Sequence, residues 1–282
     1  MISRRKFLSS FIVPGFGFLF SDSLYFEKFF VETNEFNIGI DKNGNSKVKI
    51  VQISDLHLRR VTRHHNKLAE QINSMSPDLL LFTGDIIEKE EDMDQLNNFL
   101  KLINHKIEKA AVMGNWERRN KIDLKRLGST YRKNNCELLI NQSKTFMFNG
   151  KKLVVTGIDD MIEGKPDFSA AVRKLNREEN HIVLCHCPKY RDNIEKETKR
   201  INKKRPEDKR LKIDYVFAGH SHGGQVNIFG FTAFLPPGVG NYIRGWYKNS
   251  PPYLYVSKGI GTSVLPVRFG ARAEIAVFNY YI

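Results

Sequence analysis

The sequence predicts an α/β protein whose site lies at the ends of its strands. Two observations carry that prediction. Short apolar runs alternate along the chain with polar segments of helical spacing. The apolar runs also stop, one after another, at Gly, Asp, Asn or His, as buried strands would if their ends converged on one edge. The 282 residues are compatible with one large domain, and 41% hydrophobic with 27% charged residues excludes a disordered chain.

Taken in order, SRRKFLSSFIVPGFGFLF opens with Arg4 and Arg5, then Phe7, Leu8 and an apolar stretch broken by Pro14, Gly15 and Gly17. It resembles a twin-arginine export signal, an address rather than part of the fold. The stretch is shorter than the roughly 20 residues of a secure span, and no clean Ala-x-Ala site follows. Residues 1–35 are therefore expected to be a signal or an uncleaved membrane anchor, and residues 36–282 the functional domain. EFNIGI, KNGN and VKIVQIS read as a hairpin, because Asn-Gly between apolar runs is a strong turn signal. DLLLFTGD, KAAVMGN, KLVVTGIDD, HIVLCH and DYVFAGH follow as strands, with helical spacing over 64–75, 91–104 and 121–135. YLYVSKG and AEIAVFNYYI return to strand.

The formal charge of +14 favours anionic partners: nucleic acid, anionic lipid or phosphate compounds. Residues 189–212 hold eleven Lys or Arg against five Asp or Glu, either a solvated surface or a patch for anionic headgroups. No aromatic ladder runs between these charges, which disfavours single-stranded nucleic acid. Cys136, Cys185 and Cys187 are too few for a disulfide framework, and alternation turns Cys185 and Cys187 away from the face of His186, as packing residues.

The strand ends carry the chemistry. Asp55 and His57 follow VQIS, Asp85 follows LFTG, Asn115 follows AVMG, His186 follows IVLC, and His220 and His222 follow VFAG. Any one of these is an ordinary cap or turn residue. Seven oxygen and nitrogen donors in the order Asp-x-His, Gly-Asp, Gly-Asn, His, Gly-His-x-His are what two divalent or trivalent metals need. Carboxylate, imidazole and amide suit manganese first, with iron or zinc as alternatives, and the absence of thiolates argues against a structural zinc knot.

With these residues in view, the chain resembles the calcineurin-like metallophosphoesterases. DLH at 55–57, GD at 84–85, GNWE at 114–117, HCP at 186–188 and GHSHGGQV at 219–226 match the family's five blocks, over roughly residues 47–278. GHSHGGQV, YVSKGIGTSVLPVRFG and the twin-arginine start are most similar to the bacterial branch with the YkuE and YaeI proteins, which also contains the chlamydial-type UDP-2,3-diacylglucosamine pyrophosphatase. The resemblance implies a four-layer α/β/β/α sandwich of two mixed sheets, with a dinuclear metal site at the loop edge. Asp55, His57 and His222 would hold one metal, Asn115, His186 and His220 the other, and Asp85 would bridge them. Asp85, Asn115 and His186 would then be catalytic through the metals, and no protein nucleophile is required.

Trp116 departs from the pattern. The family motif here is Gly-Asn-His, and that histidine is thought to stabilise the transition state or protonate the leaving group. Indole donates a hydrogen bond but not a proton in that way. Three readings stay open: another group such as His64, His65 or a water supplies the proton; the leaving group is good enough to need little help, as in a pyrophosphate; or metal is bound without turnover. Glu117 is expected to orient Asn115 or a histidine. Arg59, Arg60 and Arg63 are expected to be phosphate clamps or surface charge, and Asp159 and Asp160 to shape the pocket mouth or form turns. FFVETNEF and residues 240–253 meet acyl chains or enter the core.

The expected activity is hydrolysis of a phosphoester or pyrophosphate bond in an amphipathic phosphate compound at an anionic membrane surface. UDP-2,3-diacylglucosamine in lipid A synthesis is the specific expectation. Alternatives are a phosphodiesterase or phosphatase on another phospholipid or nucleotide, and a non-catalytic metal-binding scaffold. No nucleic acid or protein partner is expected. The domain would be membrane-associated, either exported by the twin-arginine route or anchored facing the cytoplasm.

Overall fold

The computed structural model describes residues 30–39, 46–228, 231–232, 235–263 and 266–282. The twin-arginine segment and the KNGN turn lie outside the described residues. The elements run β1 (Glu32–Gly39), β2 (Lys47–Ile53), α1 (Arg63–Met75), β3 (Leu79–Thr83), α2 (Met93–Leu102), β4 (Glu108–Val112), α3 (Asn115–Arg119), α4 (Leu124–Lys133) and β5 (Cys136–Leu138). They continue with β6 (Gln142–Phe148), β7 (Lys151–Gly157), α5 (Phe168–Ala171), β8 (His181–Leu184), α6 (Tyr190–Asn202), β9 (Tyr215–Ala218), β10 (Asn227–Ile228), β11 (Phe231–Thr232), β12 (Gly245–Tyr247), β13 (Tyr253–Val256) and β14 (Glu274–Tyr281).

Two six-stranded sheets form, in the orders β1-β14-β2-β3-β4-β5 and β12-β13-β9-β8-β7-β6. Both are mixed. In the first, β14 runs antiparallel to β2 while β2, β3, β4 and β5 are parallel. In the second, β13, β9, β8 and β7 are parallel and β12 and β6 are antiparallel edges.

The period-two alternation of the strands builds the layers. In β3, Leu80 and Phe82 face α1, α2 and α4 with Leu68, Leu96, Phe99 and Leu127. Leu79 and Leu81 face the other way, onto Val155, Ile182, Leu184 and Phe217 of the second sheet. The outer face of that sheet, with Val183, Val216 and Val256, is covered by Phe168 of α5 and Ile194 of α6. Three apolar layers separate four layers of structure, α/β/β/α, and each fully buried Leu or Ile contributes about 1.5–3 kcal/mol. Gln52 ties the sheets together through a polar contact: its Nε2 donates to Thr83 Oγ1 and to Ala218 O, both at 2.9 Å.

One expected pairing is corrected. β1 and β2 do not form a hairpin, because β14 lies between them, parallel to β1 and antiparallel to β2. β14 is an apolar strand buried along nearly its whole length, and a central slot satisfies both its faces and both its edges. The aromatic tracts divide between the two expectations. Phe36 and Trp246 join the inter-sheet core, their rings edge-on at 5.9 Å, whereas Phe30 is exposed beside Arg272.

Candidate metal centre

All seven donor residues stand just beyond the C-terminal ends of β2, β3, β4, β8 and β9, where the sheets meet. The chain turns sharply at each end. Asp55, His57, Asp85, His220 and His222 all adopt positive φ, between 47° and 70°, a region that side chains with a Cβ occupy at a cost of about 1–3 kcal/mol. Neighbouring glycines make the approach possible. A Cβ on Gly114 would strike Asp85, and one on Gly219 would strike Ser54 and Asp55.

The side chains form two groups. Asp55, His57 and His222 bring one ligand atom each to within 4.8 Å of one another, and so do Asp85, His186 and His220. In the first group His57 Nε2 and His222 Nε2 are 3.1 Å apart, with Asp55 Oδ1 3.6 Å from the latter. In the second, His186 Nε2 lies 3.1 Å from His220 Nδ1, 3.2 Å from Asp85 Oδ2 and 3.2 Å from Asn115 Oδ1. The same Asp85 Oδ2 is 3.9 Å from His57 Nε2, which places it between the groups.

The hydrogen bonds around the second group test whether a cation fits. His186 Nδ1–H donates to Thr83 O at 2.8 Å and His220 Nε2–H to Pro237 O at 2.6 Å, which assigns both tautomers. In the neutral rings the facing nitrogens are then both acceptors, and they meet a carboxylate and an amide oxygen. Four acceptors converge, as in a metal coordination sphere. A proton on His186 compensates the Asp85 carboxylate in the way a cation would. Burial works against a charge on His186, yet the Asp85 carboxylate beside it raises its pKa well above the ordinary imidazole value. Burial would raise Asp85, but His186 more than reverses this and holds it well below the usual carboxylate range. Burial pushes His222 down to about 3 and also lowers His220, so these rings keep free lone pairs. The enclosed negative charge is what a divalent cation neutralises, and the donor set fits one in each group.

The other expected site residues divide. Trp116 is half-buried, its amide donates to Asp85 Oδ1 at 2.9 Å, and its ring lies edge-on to His57 with Arg119 at 5.5 Å from its centroid. Glu117 makes no side-chain hydrogen bond to Asn115 or a histidine and acts on the main chain of their loops instead. Its two oxygens accept from the amides of Asp85, Ile86, Ile87 and Gly114 at 2.6–3.3 Å, stapling the β3 loop to the β4 loop. Burial and Asp85 push its pKa up, while four converging amides are the partners of a carboxylate. His65 is the third residue of α1; its Nδ1 accepts from Thr62 N at 3.1 Å, and burial lowers its pKa to about 4. His64 packs edge-on against it. Arg59 pairs with Glu88, Arg60 is exposed in the same bend, and Arg63 is exposed as the first residue of α1. Asp159 pairs with Arg118 at 2.6 Å, and Asp160 accepts from the amides of Ile162 and Glu163, so both form the 159–165 turn.

Two residues were missed from sequence. Glu88 is buried against His57, and its only signal is an acid three residues beyond Asp85. Arg268 is fully buried, with Nη2 3.5 Å from His222 Nδ1 and hydrogen bonds to the carbonyls of Lys258, Gly261 and Ala271. Its signal is an arginine inside an otherwise apolar, glycine-rich VRFG.

The calcineurin-like phosphoesterase family matches residues 48–224. The chain is 28% identical to the uncharacterized metallophosphoesterase YkuE of Bacillus subtilis (strain 168), over 99% of this chain and 97% of that protein. It is also 28% identical to an uncharacterized metallophosphoesterase of Helicobacter pylori (strain ATCC 700392 / 26695), over 97% of this chain and 71% of that one. Among solved structures, a 5'-nucleotidase precursor from Thermus thermophilus aligns with 13% identity and a TM-score of 0.43, over 83% of this chain and 55% of that chain.

Proposed function

The chain belongs to the calcineurin-like phosphoesterase family and is a phosphoester hydrolase, and we propose that it cleaves a phosphoester or pyrophosphate bond in an amphipathic compound at a membrane surface. The observation that carries the hydrolytic reading is the pair of facing groups with Asp85 between them. Asp55, His57 and His222 would hold one metal ion, Asn115, His186 and His220 the other, with Asp85 shared. Manganese suits these donors, with iron or zinc as alternatives. Two such ions supply Lewis acidity to the phosphoryl oxygens and lower the pKa of water to near neutrality.

The chain's own residues do the rest. Thr83 O and Pro237 O fix the imidazoles of His186 and His220, and Glu117 locks the loops that carry Asp85 and Asn115. Trp116 closes the His57 side with an indole that hydrogen-bonds but does not protonate. His65, hydrogen-bonded at the helix start, is a poor source of that proton. A substrate whose leaving group departs as a stable anion suits this site best, which favours a pyrophosphate bond.

Within that class we propose UDP-2,3-diacylglucosamine, cleaved to the lipid monophosphate and UMP. Support comes from Trp116, the net charge of +14 and the basic stretch 189–212. The twin-arginine-like start would place the chain at a membrane, exported or anchored facing the cytoplasm; no helix among the described residues is long and apolar enough to cross one. The test is manganese-dependent release of UMP from that lipid by the full chain in detergent, with Asp85→Asn as the blank. Release that vanishes in the variant supports the proposal. Turnover of simple phosphodiesters without UMP release removes the lipid substrate and leaves the hydrolase.

A further inference from the structure

The two groups of ligands are oriented by different means. In the second, His186 and His220 are fixed by main-chain carbonyls, which no substitution removes. In the first, the far side of His57 faces a side chain. Glu88, whose side chain is 3% exposed, brings Oε1 to 3.1 Å from His57 Nδ1, a direct polar contact though without the alignment of a full hydrogen bond. Its Oε2 receives Arg59 Nη2 at 2.6 Å and Nε at 2.9 Å. Its backbone oxygen accepts from Asn120 Nδ2 at 2.8 Å, which also donates to Trp116 O at 3.2 Å.

We infer that Glu88 is a positioning residue that sets the tautomer and direction of His57, so that the Asp55–His57–His222 group depends on a carboxylate while the second group does not. A carboxylate on the far nitrogen keeps the proton on Nδ1, frees Nε2 as the lone pair, and makes the imidazole a stronger donor. Nε2 is the atom that faces His222 and Asp85. Arg59 steadies Glu88 from the solvent side; being 68% exposed, it contributes little energy of its own. With Nε and Nη2 directed at Glu88, Arg59 serves the ligand group before any phosphate.

The inference rests on the reading that both groups hold cations, and the experiment separates the two. The metal-depleted full chain, Glu88→Gln, Glu88→Ala and Glu88→Ala in a His222→Ala background are titrated with Mn2+ alone by calorimetry. The unsubstituted chain is expected to bind two ions. Glu88→Ala is expected to weaken one of them by about 10- to 100-fold and leave the other unchanged. Glu88→Gln keeps an oxygen for His57 but loses the charge, and gives a smaller loss at the same ion; if Glu88→Ala does not fold, this variant decides. In the His222→Ala background the Glu88 substitution removes nothing further. Two unaltered affinities in Glu88→Gln and Glu88→Ala, or an equal fall at both, overturns the inference alone. No binding by the unsubstituted chain overturns the two-ion reading and the inference with it.

Discussion

The indole of Trp116 stands edge-on to the imidazole of His57, ring centroids 6.0 Å apart and planes at 89°. On the proposed reading, this aromatic wall takes the place of the histidine that the Gly-Asn-His pattern would put there. Substituting Trp116→His is expected to speed hydrolysis of alkyl phosphodiesters by about 10²-fold, the lower range for general-acid help. p-Nitrophenyl esters, whose leaving group needs no proton, should change little. Rates across a series of leaving groups check this, since the dependence on leaving-group pKa should flatten in the variant.

Glu117 collects four amide hydrogens from two loops. In Glu117→Gln the carboxylate charge goes, and one oxygen becomes an NH2 facing amide donors. Hydrogen bonds to charged groups contribute about 1.5–3 kcal/mol, so unfolding stability is expected to fall by about 3 kcal/mol. Urea denaturation of the metal-depleted chain measures this apart from metal binding.

His181 lies at the start of β8, fully buried, with Nε2 2.7 Å from Thr156 Oγ1 and no partner at Nδ1 among the described residues. Burial pushes its pKa from 6.5 down to about 4. Between those values the unfolded chain takes up a proton that the folded chain refuses. Stability is complete above pH 6.5 and falls as the pH drops toward 4, by about 3 kcal/mol at about 1.4 kcal/mol per unit. His181→Gln is expected to remove this component, seen as a smaller difference in urea stability between pH 7 and pH 4.5 than in the unsubstituted chain.

The convergence of the seven donor residues was legible because each follows an apolar strand, and a strand end fixes where the next residue goes. The helices over 63–75, 93–102 and 124–133 were legible from their spacing for the same local reason. The pairing of β1 was not: Asn-Gly is a local signal, whereas the insertion of β14 comes from a strand more than 220 residues further on. Glu88 sits in DIIEKEED, where an acid reads as solvent charge, and only the packing of the β3 loop against His57 buries it. His65 stood beside His64 and water as a candidate proton source, because helix capping by an imidazole leaves no pattern in the sequence.

In the proposed function two cations share Asp85. The most direct test is the metal content and hydrolytic rate of the full chain reconstituted with Mn2+, beside Asp85→Asn. Two ions per chain are predicted, magnetically coupled in the electron paramagnetic resonance spectrum. Coupling should be lost in Asp85→Asn, with bis-p-nitrophenyl phosphate hydrolysis falling by about 10³-fold, equivalent to about 4 kcal/mol. Hydrolysis that survives in Asp85→Asn, or two ions that remain coupled without that carboxylate, would contradict the account.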